Sequence, residues 1–433
     1  MRPLKIELAS GFHWLSEGDK YMTNKIIVVG GGASGMMAAI AARRKGAEVT
    51  ILERNDRVGK KLLATGNGRC NYTNTTISYS NILESYHSAN PKFIYSALYN
   101  FDIYQTIDFF EILGITPTVE ENKVYPNSLQ ASSVLDVLRY EIENLGIQLI
   151  TEAYVVDIIK KNNFNIKLKD GRNLTSDKVI LATGGMAMPA SGSDGNGYSL
   201  AKSFGHSLID IFPGLVQLKL EGNIFRSIKG IKFPGNAGLY LNDKLIIEDR
   251  GDILFTDYGI SGPPILQISR RALEYLRKKE DVRLRVTIIT NMTKDELIQY
   301  LTRRFECMPK KKIVEALIGL INKRLIIPIL KEINVDKDKN VNQLSGYEIE
   351  RLAGILSSWE FKIRDSNGWG QAQVTAGGID TKDIDDKTME SKLIKGLYVV
   401  GELLDVDGDC GGFNLQWAWS SGHVAGSHAA KSI

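Results

Sequence analysis

The sharpest hydrophobic pattern of the chain lies near its start. Four apolar residues, Ile26 to Val29, precede a glycine-rich turn, and a stretch of small and apolar residues then runs from about Met36 to Lys45. A short β-branched run is typical of a buried strand, and the small-residue stretch has the period of a helix. A second apolar run, Glu48 to Leu52, follows. The pattern therefore predicts a strand–helix–strand unit.

Between this unit and residue 208, polar stretches alternate with short periodic ones. Residues 54–74 are dense in Gly, Asn, Thr and Lys with little apolar periodicity, which predicts a long polar loop. A loop of this length after a strand is usually functional. The later elements that the pattern predicts are helices at about 91–113 and 131–145, short strands at 155–159 and 166–168, a buried strand at 179–182, and a helix beginning near Gly197.

A different pattern occupies the region up to residue 372. To about residue 290 it shows short strands separated by turn residues, as in a small β-barrel, and from Lys294 to Phe361 it is helical. Apolar strand patterning then resumes, with a strand at Leu397 to Val400 and a helix beginning near Asn414. The predicted fold class is α/β, divided into an N-terminal extension (1–23), a nucleotide-binding part (24–208), a β-barrel-like insert (209–292), a helical insert (293–372), and a second nucleotide-binding part (373–433).

Length and composition are those of a multidomain globular protein. The chain has 433 residues, of which 43% are hydrophobic and 24% charged. No apolar run is long enough to span a bilayer, and the first residues lack a signal-peptide core, so we expect a cytoplasmic protein. We also expect the true start to be Met22, with a disordered extension as the alternative. Three cysteines without C-x-x-C spacing and scattered histidines predict no metal site.

The turn after the first strand has the spacing of a dinucleotide-binding fingerprint. Gly30 permits a tight turn, Gly32 lets the backbone approach a pyrophosphate, and Gly35 lets helix and strand pack closely. The N–H groups at the helix start, around Ala33, Ser34 and Gly35, are expected to face the phosphates. Glu53 ends the second strand and is placed to accept from ribose hydroxyls, with Arg54 beside it. These residues predict the ADP half of FAD or NAD.

The last segment favours FAD. An NAD site is complete within one Rossmann half, whereas FAD needs a distant strand and helix for its ribityl chain and ring. Glu402 and Asp405, after Gly401, are carboxylates placed for ribityl or phosphate-side hydroxyls, and the N–H groups of Asn414, Leu415 and Gln416 are expected to face the flavin N1 and O2 positions. The remaining candidate cofactor contacts are Asn67, Gly68, Arg69 and Asn71 at the ring, backbone groups of Val156 or its neighbours at the adenine, and Thr183 and Gly184 after the buried strand.

Several segments together resemble a known family. GRCNYTN, ILATGG, ILFTDYGISGPPIL, TAGGI and GELLDVDGDCGGFNLQWAWSSGHVAG are similar to those of the HI0933-like (YhiN/BaiN-type) flavoproteins, over about residues 24–430. The resemblance implies a two-dinucleotide-binding FAD fold interrupted by a β-barrel and a helical part, and noncovalent FAD. It also implies oxidoreductase activity, with amine oxidation and reduction of carbon–carbon double bonds among the suggestions. Asp257 stands where many relatives are expected to have His, which puts any acid/base role there in doubt.

The predicted chemistry is hydride transfer through flavin N5 to or from a small organic substrate. A second fingerprint is absent, so NAD(P)H is expected to bind only transiently, if it is the electron donor. The alternatives are an oxygen-using flavin amine oxidase and an FAD-binding RNA-modification or RNA-binding protein, for which residues 209–372 supply 27 basic and 21 acidic residues. Nucleic acid is the less favoured partner.

No acid, base or oligomeric state is assigned. Tyr258, Asp257, Arg69 and Asp407 are candidates for an acid or base, each with a structural role as the preferred interpretation. Cys70 and Cys410 are interpreted as small buried thiols, with a flavin-coupled disulfide as the alternative.

Overall fold

The computed structural model describes residues 24–431. The expectations for residues 1–23, an extension or a start at Met22, lie outside the described residues. Up to residue 202 the strands are β1 (Lys25–Val29), β2 (Glu48–Leu52), β3 (Thr73–Asn74), β4 (Tyr86–His87), β5 (Pro117–Glu120), β6 (Lys123–Pro126), β7 (Gln148–Ile150), β8 (Val155–Lys160), β9 (Phe164–Leu168), β10 (Asn173–Ser176) and β11 (Lys178–Leu181). The helices of this region are α1 (Ala33–Arg44), α2 (Lys60–Ala64), α3 (Ile82–Ser85), α4 (Ile94–Asn100), α5 (Ile103–Ile112), α6 (Ala131–Asn144) and α7 (Asn196–Lys202).

The remaining elements form an insert and a C-terminal segment. Residues 208–379 contain β12 (Leu208–Gly214), β13 (Leu218–Leu220), α8 (Phe225–Ile228), β14 (Lys232–Leu241), β15 (Lys244–Phe255), β16 (Gly259–Ser261), α9 (Pro263–Arg277), β17 (Val282–Thr287), α10 (Lys294–Glu306), α11 (Ile313–Ala316), α12 (Lys323–Glu332), α13 (Gly346–Ser357), β18 (Trp359–Ser366) and β19 (Val374–Ile379). The segment after them contains β20 (Leu397–Val399), β21 (Asp407–Gly408) and α14 (Phe413–Ala429).

A five-stranded parallel sheet forms the nucleotide-binding part, in the order β20-β11-β1-β2-β7. Its central strand β1 is buried, as the run of apolar residues predicts. Because β20 comes from the C-terminal segment, the sheet is completed only when both ends of the chain meet. The α/β class with a Rossmann-type sheet is therefore confirmed.

Helices α1 and α14 pack closely against each other on this sheet. A Cβ at Gly422 of α14 would lie 2.4 Å from the Ser34 carbonyl oxygen, and one at Gly426 would lie 2.1 Å from that of Ala38. Only residues without a side chain let two helix backbones approach this far. The close packing of the small residues of the last helix against the first unit is confirmed.

The insert is a closed six-stranded barrel with helices against it, in the order β13-β16-β15-β14-β17-β18. The chain leaves and re-enters the nucleotide-binding part through β12 and β19, which pair antiparallel. One hydrophobic cluster contains barrel residues such as Phe255 and helix residues such as Leu301, so residues 209–292 and 293–372 share a core. The predicted domain limits remain predictions.

Four stretches differ from the sequence-based expectations. Helix α2 lies inside the expected loop 54–74. The expected helix 91–113 is divided into two helices, because Asp102 begins α5 as its N-cap and accepts a hydrogen bond from the Gln105 N–H. The helix α9 was expected to be strand and turn; it starts at Pro263 and Pro264, which favour a first helical turn. Residues Trp359–Ser366, expected at the end of a helical region, are strand β18, whose buried and exposed residues mostly alternate.

Within residues 24–431, no helix combines the length and the apolar character that crossing a bilayer requires.

Candidate functional site

One large cleft joins the nucleotide turn, the loop after α2, the start of α14 and one wall of the barrel. Its volume is about 770 Å³. The sequence-predicted residues that line it are Gly30, Gly32, Ala33, Ser34, Glu53, Arg54, Asn67, Arg69, Asn71, Thr183, Gly184, Glu402, Asn414 and Leu415. The structure thus brings together residues from three distant parts of the chain. Six other candidates do not line it: Gly35, Gly68, Val156, Gly401, Asp405 and Gln416.

The turn after β1 has the geometry that its glycines predict. Gly30 has φ +108°, and a Cβ there would lie 2.4 Å from the Ala182 carbonyl oxygen. A Cβ at Gly35 would lie 1.9 Å from the Gly30 carbonyl oxygen, so Gly35 acts in packing rather than in lining the cleft. A Cβ at Gly32 would meet no atom within 4 Å, which leaves open space beside the helix start. This space, at the positive end of α1, fits a pyrophosphate.

Glu53 at the end of β2 holds the turn together as well as facing the cleft. Its Oε2 accepts from the Gly31 N–H at 2.9 Å, and its Oε1 accepts from the backbone and side-chain N–H groups of Asn55, both at 2.8 Å. The carboxylate is buried. Because carboxylate oxygens carry further lone pairs, these three bonds leave Glu53 able to accept from ribose hydroxyls.

The loop after α2 is held in an unusual backbone conformation. Gly66, Asn67, Gly68 and Cys70 all have φ between +56° and +82°. Left-handed φ is uncommon for residues with a side chain, and such positions gather at functional sites. Asn67 and Asn71 line the cleft, whereas Gly68 does not and serves only the turn. Cys70 is fully buried outside the lining, and burial raises the pKa of its thiol to about 12.

Arg69 is the charged member of this loop, and it is surrounded by residues that the sequence did not suggest. Its guanidinium lies 4.3 Å from the ring centroid of Tyr125, and its Nη2 lies 2.5 Å from a carboxylate oxygen of Glu120. Tyr125 and Lys123, both on β6, also line the cleft. Burial raises the pKa of the Tyr125 phenol, with Lys123 and Arg69 opposing the shift.

Glu402 is held between a backbone group and a cation. Its Oε1 accepts from the Thr375 N–H at 2.8 Å, and its Oε2 lies 2.5 Å from Lys61 Nζ. Lys61 sits on α2, inside the stretch expected to be loop, so nothing in the sequence connected it with position 402. The ion pair ties α2 to the C-terminal segment at the cleft.

The start of α14 supplies backbone N–H groups to the cleft. Asn414 uses its side chain to hold the preceding loop, since its Oδ1 accepts from the Gly408 N–H and its Nδ2 donates to the Gly408 carbonyl. Its backbone, and that of Leu415, belong to the first turn, where N–H groups have no intrahelical acceptor. Those donors remain candidates for a flavin ring edge.

Three predicted contacts are corrected. The Gln416 N–H donates to the Gly412 carbonyl, and its side chain is buried against Thr73, so Gln416 is not available to the cleft. Asp405 is also buried, and its carboxylate accepts from the Ala89 N–H at 2.7 Å. Gly401 is used in packing, since its carbonyl accepts from Trp417 Nε1.

The predicted adenine contact was a backbone contact from Val156 or its neighbours. Val156 does not line the cleft and its side chain is exposed, whereas its neighbour Val155 lines the cleft, so this contact stays a prediction.

Two predicted residues complete the adenosine side. Thr183 and Gly184 follow β11, directly beside the Gly30 turn. Arg54 is ion-paired with Asp194, and its guanidinium lies 4.7 Å from the ring centroid of Tyr154. Tyr154, missed by the sequence analysis, therefore becomes part of the cleft wall.

The barrel and the start of α9 form another wall of the cleft, called the barrel wall below. The residues of this part of the insert that line the cleft are Leu215, Gln217, Lys232, Asp252, Leu254, Ser261, Gly262, Pro263 and Leu266. No local motif marks them, because they meet the cleft only through long-range folding. The insert is fastened here: Arg270 Nε donates to Asp407 Oδ2 at 2.6 Å, and the Cys410 N–H donates to Gln267 Oε1 at 2.9 Å.

The acid/base candidates are structural in this arrangement. Asp257 and Tyr258 do not line the cleft, and Asp257 pairs with Lys229 at 2.7 Å on the surface. Asp407 is buried against Arg270. The thiols of Cys70 and Cys410 are both free. Cys70 is buried outside the lining, as a small buried thiol is expected to be, whereas Cys410 is partly exposed and lines the cleft.

The residues present fit FAD. The open position at Gly32 suits the pyrophosphate, Glu53 suits a ribose, and the cleft continues without interruption to the start of α14, where N–H donors suit the ring. A cleft of about 770 Å³ lies within the range of cofactor pockets.

The chain is similar to one protein family over nearly all of the described residues. The model of the HI0933-like protein Rossmann domain matches residues 24–428. The 3-dehydro-bile acid delta(4,6)-reductase of Clostridium scindens is 38% identical over 94% of this chain and 99% of its own length. The ribosomal RNA dihydrouridine synthase of Escherichia coli is 30% identical over 94% of this chain and 98% of its own. Among solved structures, a 3-ketosteroid-delta4-(5alpha)-dehydrogenase from Rhodococcus jostii RHA1 aligns over 95% of this chain and 98% of that one, with a TM-score of 0.49 and 14% identity.

Proposed function

This chain belongs to the HI0933-like family of FAD-dependent oxidoreductases, and we propose that it reduces a carbon–carbon double bond conjugated to a carbonyl group of a small, largely apolar molecule. The activities of two relatives support this reaction. One is the reduction of ring double bonds in a 3-oxo bile acid, and the other the saturation of a uracil ring. Both reactions add hydrogen across a double bond that is conjugated to a carbonyl.

The observation that carries the proposal is the group of apolar side chains that the insert adds to the cleft lining. Leu215, Leu254, Pro263 and Leu266 line the cleft, and the polar Gln217, Lys232, Asp252 and Ser261 line it with them. Apolar side chains with a few polar groups among them are typical of sites for small organic molecules. A flat apolar substrate is the molecule that this wall suits.

The chain's own residues have distinct tasks in this reaction. FAD bound here supplies hydride transfer at N5. The Gly30 turn and Glu53 hold the adenosine end, and the N–H groups of Asn414 and Leu415 stabilise negative charge at the ring. The barrel wall excludes water from the reacting face and orients the substrate. We infer that NAD(P)H reaches the same face transiently to supply the electrons, because the sequence has one dinucleotide fingerprint.

A second candidate is the saturation of uridine in RNA, which the 30% identity to dihydrouridine synthases favours. The charges of the insert oppose it only in part. Some of its cations are paired with carboxylates, such as Lys229 with Asp257, Lys294 with Glu350, and Lys312 with Asp338, and about half have no such partner among the described residues. RNA binding requires cations that are free to displace counterions from phosphates.

Anaerobic titration of the purified yellow protein tests the proposal. NADH and NADPH are added first, and a 3-oxo-Δ4,6 steroid, a ribosomal RNA or an amine is then offered to the reduced or oxidised protein. We expect the steroid to reoxidise the flavin. Reoxidation by RNA only, with binding that falls steeply as salt rises, would establish the second candidate. Reduction by an amine followed by fast reoxidation in air would instead identify an oxidase.

A further inference from the structure

The cations that line the cleft differ in how well they are neutralised. Among the described residues, Lys60, Lys61, Arg69 and Lys232 each have a carboxylate oxygen within 2.5 to 2.7 Å, and Arg54 is paired with Asp194. Lys123 is the exception. The nearest carboxylate oxygen to its Nζ is 3.6 Å away, on Glu121, whose side chain is 89% exposed. An ion pair this long and this solvated leaves most of the charge of Lys123 available.

Tyr125 stands beside this cation. Residues two apart in a strand face the same side, and Lys123 and Tyr125 of β6 both line the cleft, whereas Val124 between them is buried in the core. In the described part of the chain, no hydrogen bond involves the Tyr125 hydroxyl. Arg69 lies against the ring of Tyr125 and fixes its position.

The carboxylates near these groups do not reach the cleft. Glu120, which pairs with Arg69, and Asp249, which interacts with Lys123, are both outside the lining. The cleft surface at this point therefore consists of two cations and a hydroxyl donor. The barrel wall lines the same cleft.

We propose that Lys123 and Tyr125 form the site that receives the substrate's carbonyl oxygen, an inference that rests on the proposed function. Hydride addition forms a C–H bond at the β carbon, and the π electron pair of the double bond moves toward the carbonyl oxygen. The Tyr125 hydroxyl donates a hydrogen bond to that oxygen, and Lys123 balances its negative charge. A proton from solvent then forms the second C–H bond at the α carbon. The two electrons come from a reduced nicotinamide nucleotide by way of FAD.

Binding of 4-nitrophenol to the FAD-loaded protein tests this site without turnover. Its anion resembles the charged oxygen of the proposed intermediate, and its ionisation is visible in difference spectra recorded against the same protein without probe. We expect the wild type to lower the pKa of the bound probe by about one unit, as a nearby cation does. Lys123→Met should remove most of that shift, and Lys123→Arg should keep it. Tyr125→Phe should weaken binding of the anion about tenfold.

The control is Lys310→Met, which removes an exposed lysine outside the cleft and should behave as wild type. Retention of FAD by each variant shows that it has folded. The inference is overturned if the wild type fails to bind or to shift the probe, or if Lys123→Met and Tyr125→Phe match it. If the probe responds as expected but no enone is reduced, the proposed function fails while this anion site remains. If enones are reduced and both variants match the wild type, only this inference fails.

Discussion

Glu53 illustrates how a single side chain can organise a cofactor site from within the protein. Three donors converge on its carboxylate, from Gly31 and from two groups of Asn55. A glutamine at this position would turn an N–H group toward one of these donors. Because the two side chains have nearly the same shape, this substitution removes charge and one hydrogen bond without disturbing the packing.

We expect Glu53→Gln to weaken FAD binding by about tenfold, the effect of losing one hydrogen bond to a charged group. Fluorescence titration of FAD and its retention after desalting measure this. Glu48→Gln, on the exposed first residue of the same strand, is the control and should retain FAD as the wild type does. Equal affinities of the two variants would show that Glu53 has no part in holding the cofactor.

His423 on α14 makes a pH-dependent contribution. It stacks on Phe101 with centroids 4.3 Å apart, and its buried Nδ1 has no partner among the described residues. Burial, with Lys45 and Arg44 nearby, lowers its pKa from 6.5 to about 4. At pH values between about 4 and 6.5, His423 therefore binds more protons in the unfolded chain than in the folded one. Stability is therefore intact above pH 6.5 and falls as the pH drops toward 4.

Replacement His423→Phe keeps the stacking and removes the titration. Urea unfolding at several pH values measures the free energy of unfolding. Between pH 6.5 and 4 this free energy should fall less for the variant than for the wild type, by at most about 3 kcal/mol. If the free energies of unfolding of variant and wild type fell equally between pH 6.5 and 4, the titration of His423 would not be the cause of the loss of stability.

At the scale of elements, the contact between α1 and α14 joins the two ends of the chain at the cleft. We expect Gly426→Ala to cost about 1–3 kcal/mol, because the new Cβ meets a backbone oxygen that cannot rotate away. Partial loss of FAD should accompany it, since α14 begins at the cleft. Thermal unfolding and flavin content measure both effects.

The matched control is Gly354→Ala inside α13. A Cβ there meets only the end of the Lys294 side chain, at 4.0 Å. This variant should be stabilised by up to about 1 kcal/mol through helix propensity. A loss of stability as large as that of Gly426→Ala would show that the close contact between α1 and α14 is not the reason for the first result.

Elements with a strong local pattern were predictable from sequence, and elements defined by distant partners were not. The glycine turn, β1 and α14 follow from spacing and apolar periodicity. Strand β18 carries an alternating pattern, but it is too short to distinguish from the end of a helix without its partners β13 and β17. For α9, Pro263 and Pro264 mark the start of a helix in the sequence, but the strand patterns on either side led to a prediction of strand and turn.

The site shows the same division. Gly30, Glu53 and Asn414 were found because a motif places them, whereas Lys61, Tyr125 and Leu254 have no motif. They reach the cleft through contacts between residues more than a hundred positions apart, such as Arg270 with Asp407. Conversely, Asp405 and Gln416 sit within a motif but face inward, and only packing reveals that.

At the scale of the whole molecule, two large hydrophobic clusters divide the protein. One contains the sheet with α1 and α14, and the other the barrel with its helices. They are joined by β12 and β19, by a small third cluster of Ala187, Val216, Leu273 and Ala372, and by polar contacts such as Arg270 with Asp407. Separate cores joined by few apolar contacts are expected to unfold in separate steps.

Two truncations test this division. Leu301→Ala in α10 and Leu138→Ala in α6 each remove a fully buried side chain, one from each cluster, and should each cost about 2–5 kcal/mol. In calorimetry we expect two transitions, with Leu301→Ala lowering the midpoint of one and Leu138→Ala that of the other. Added FAD should raise the transition that Leu138→Ala lowers, because the cofactor binds only the folded sheet. A single transition that both variants shift equally would instead show that the insert and the nucleotide-binding part fold as one cooperative unit.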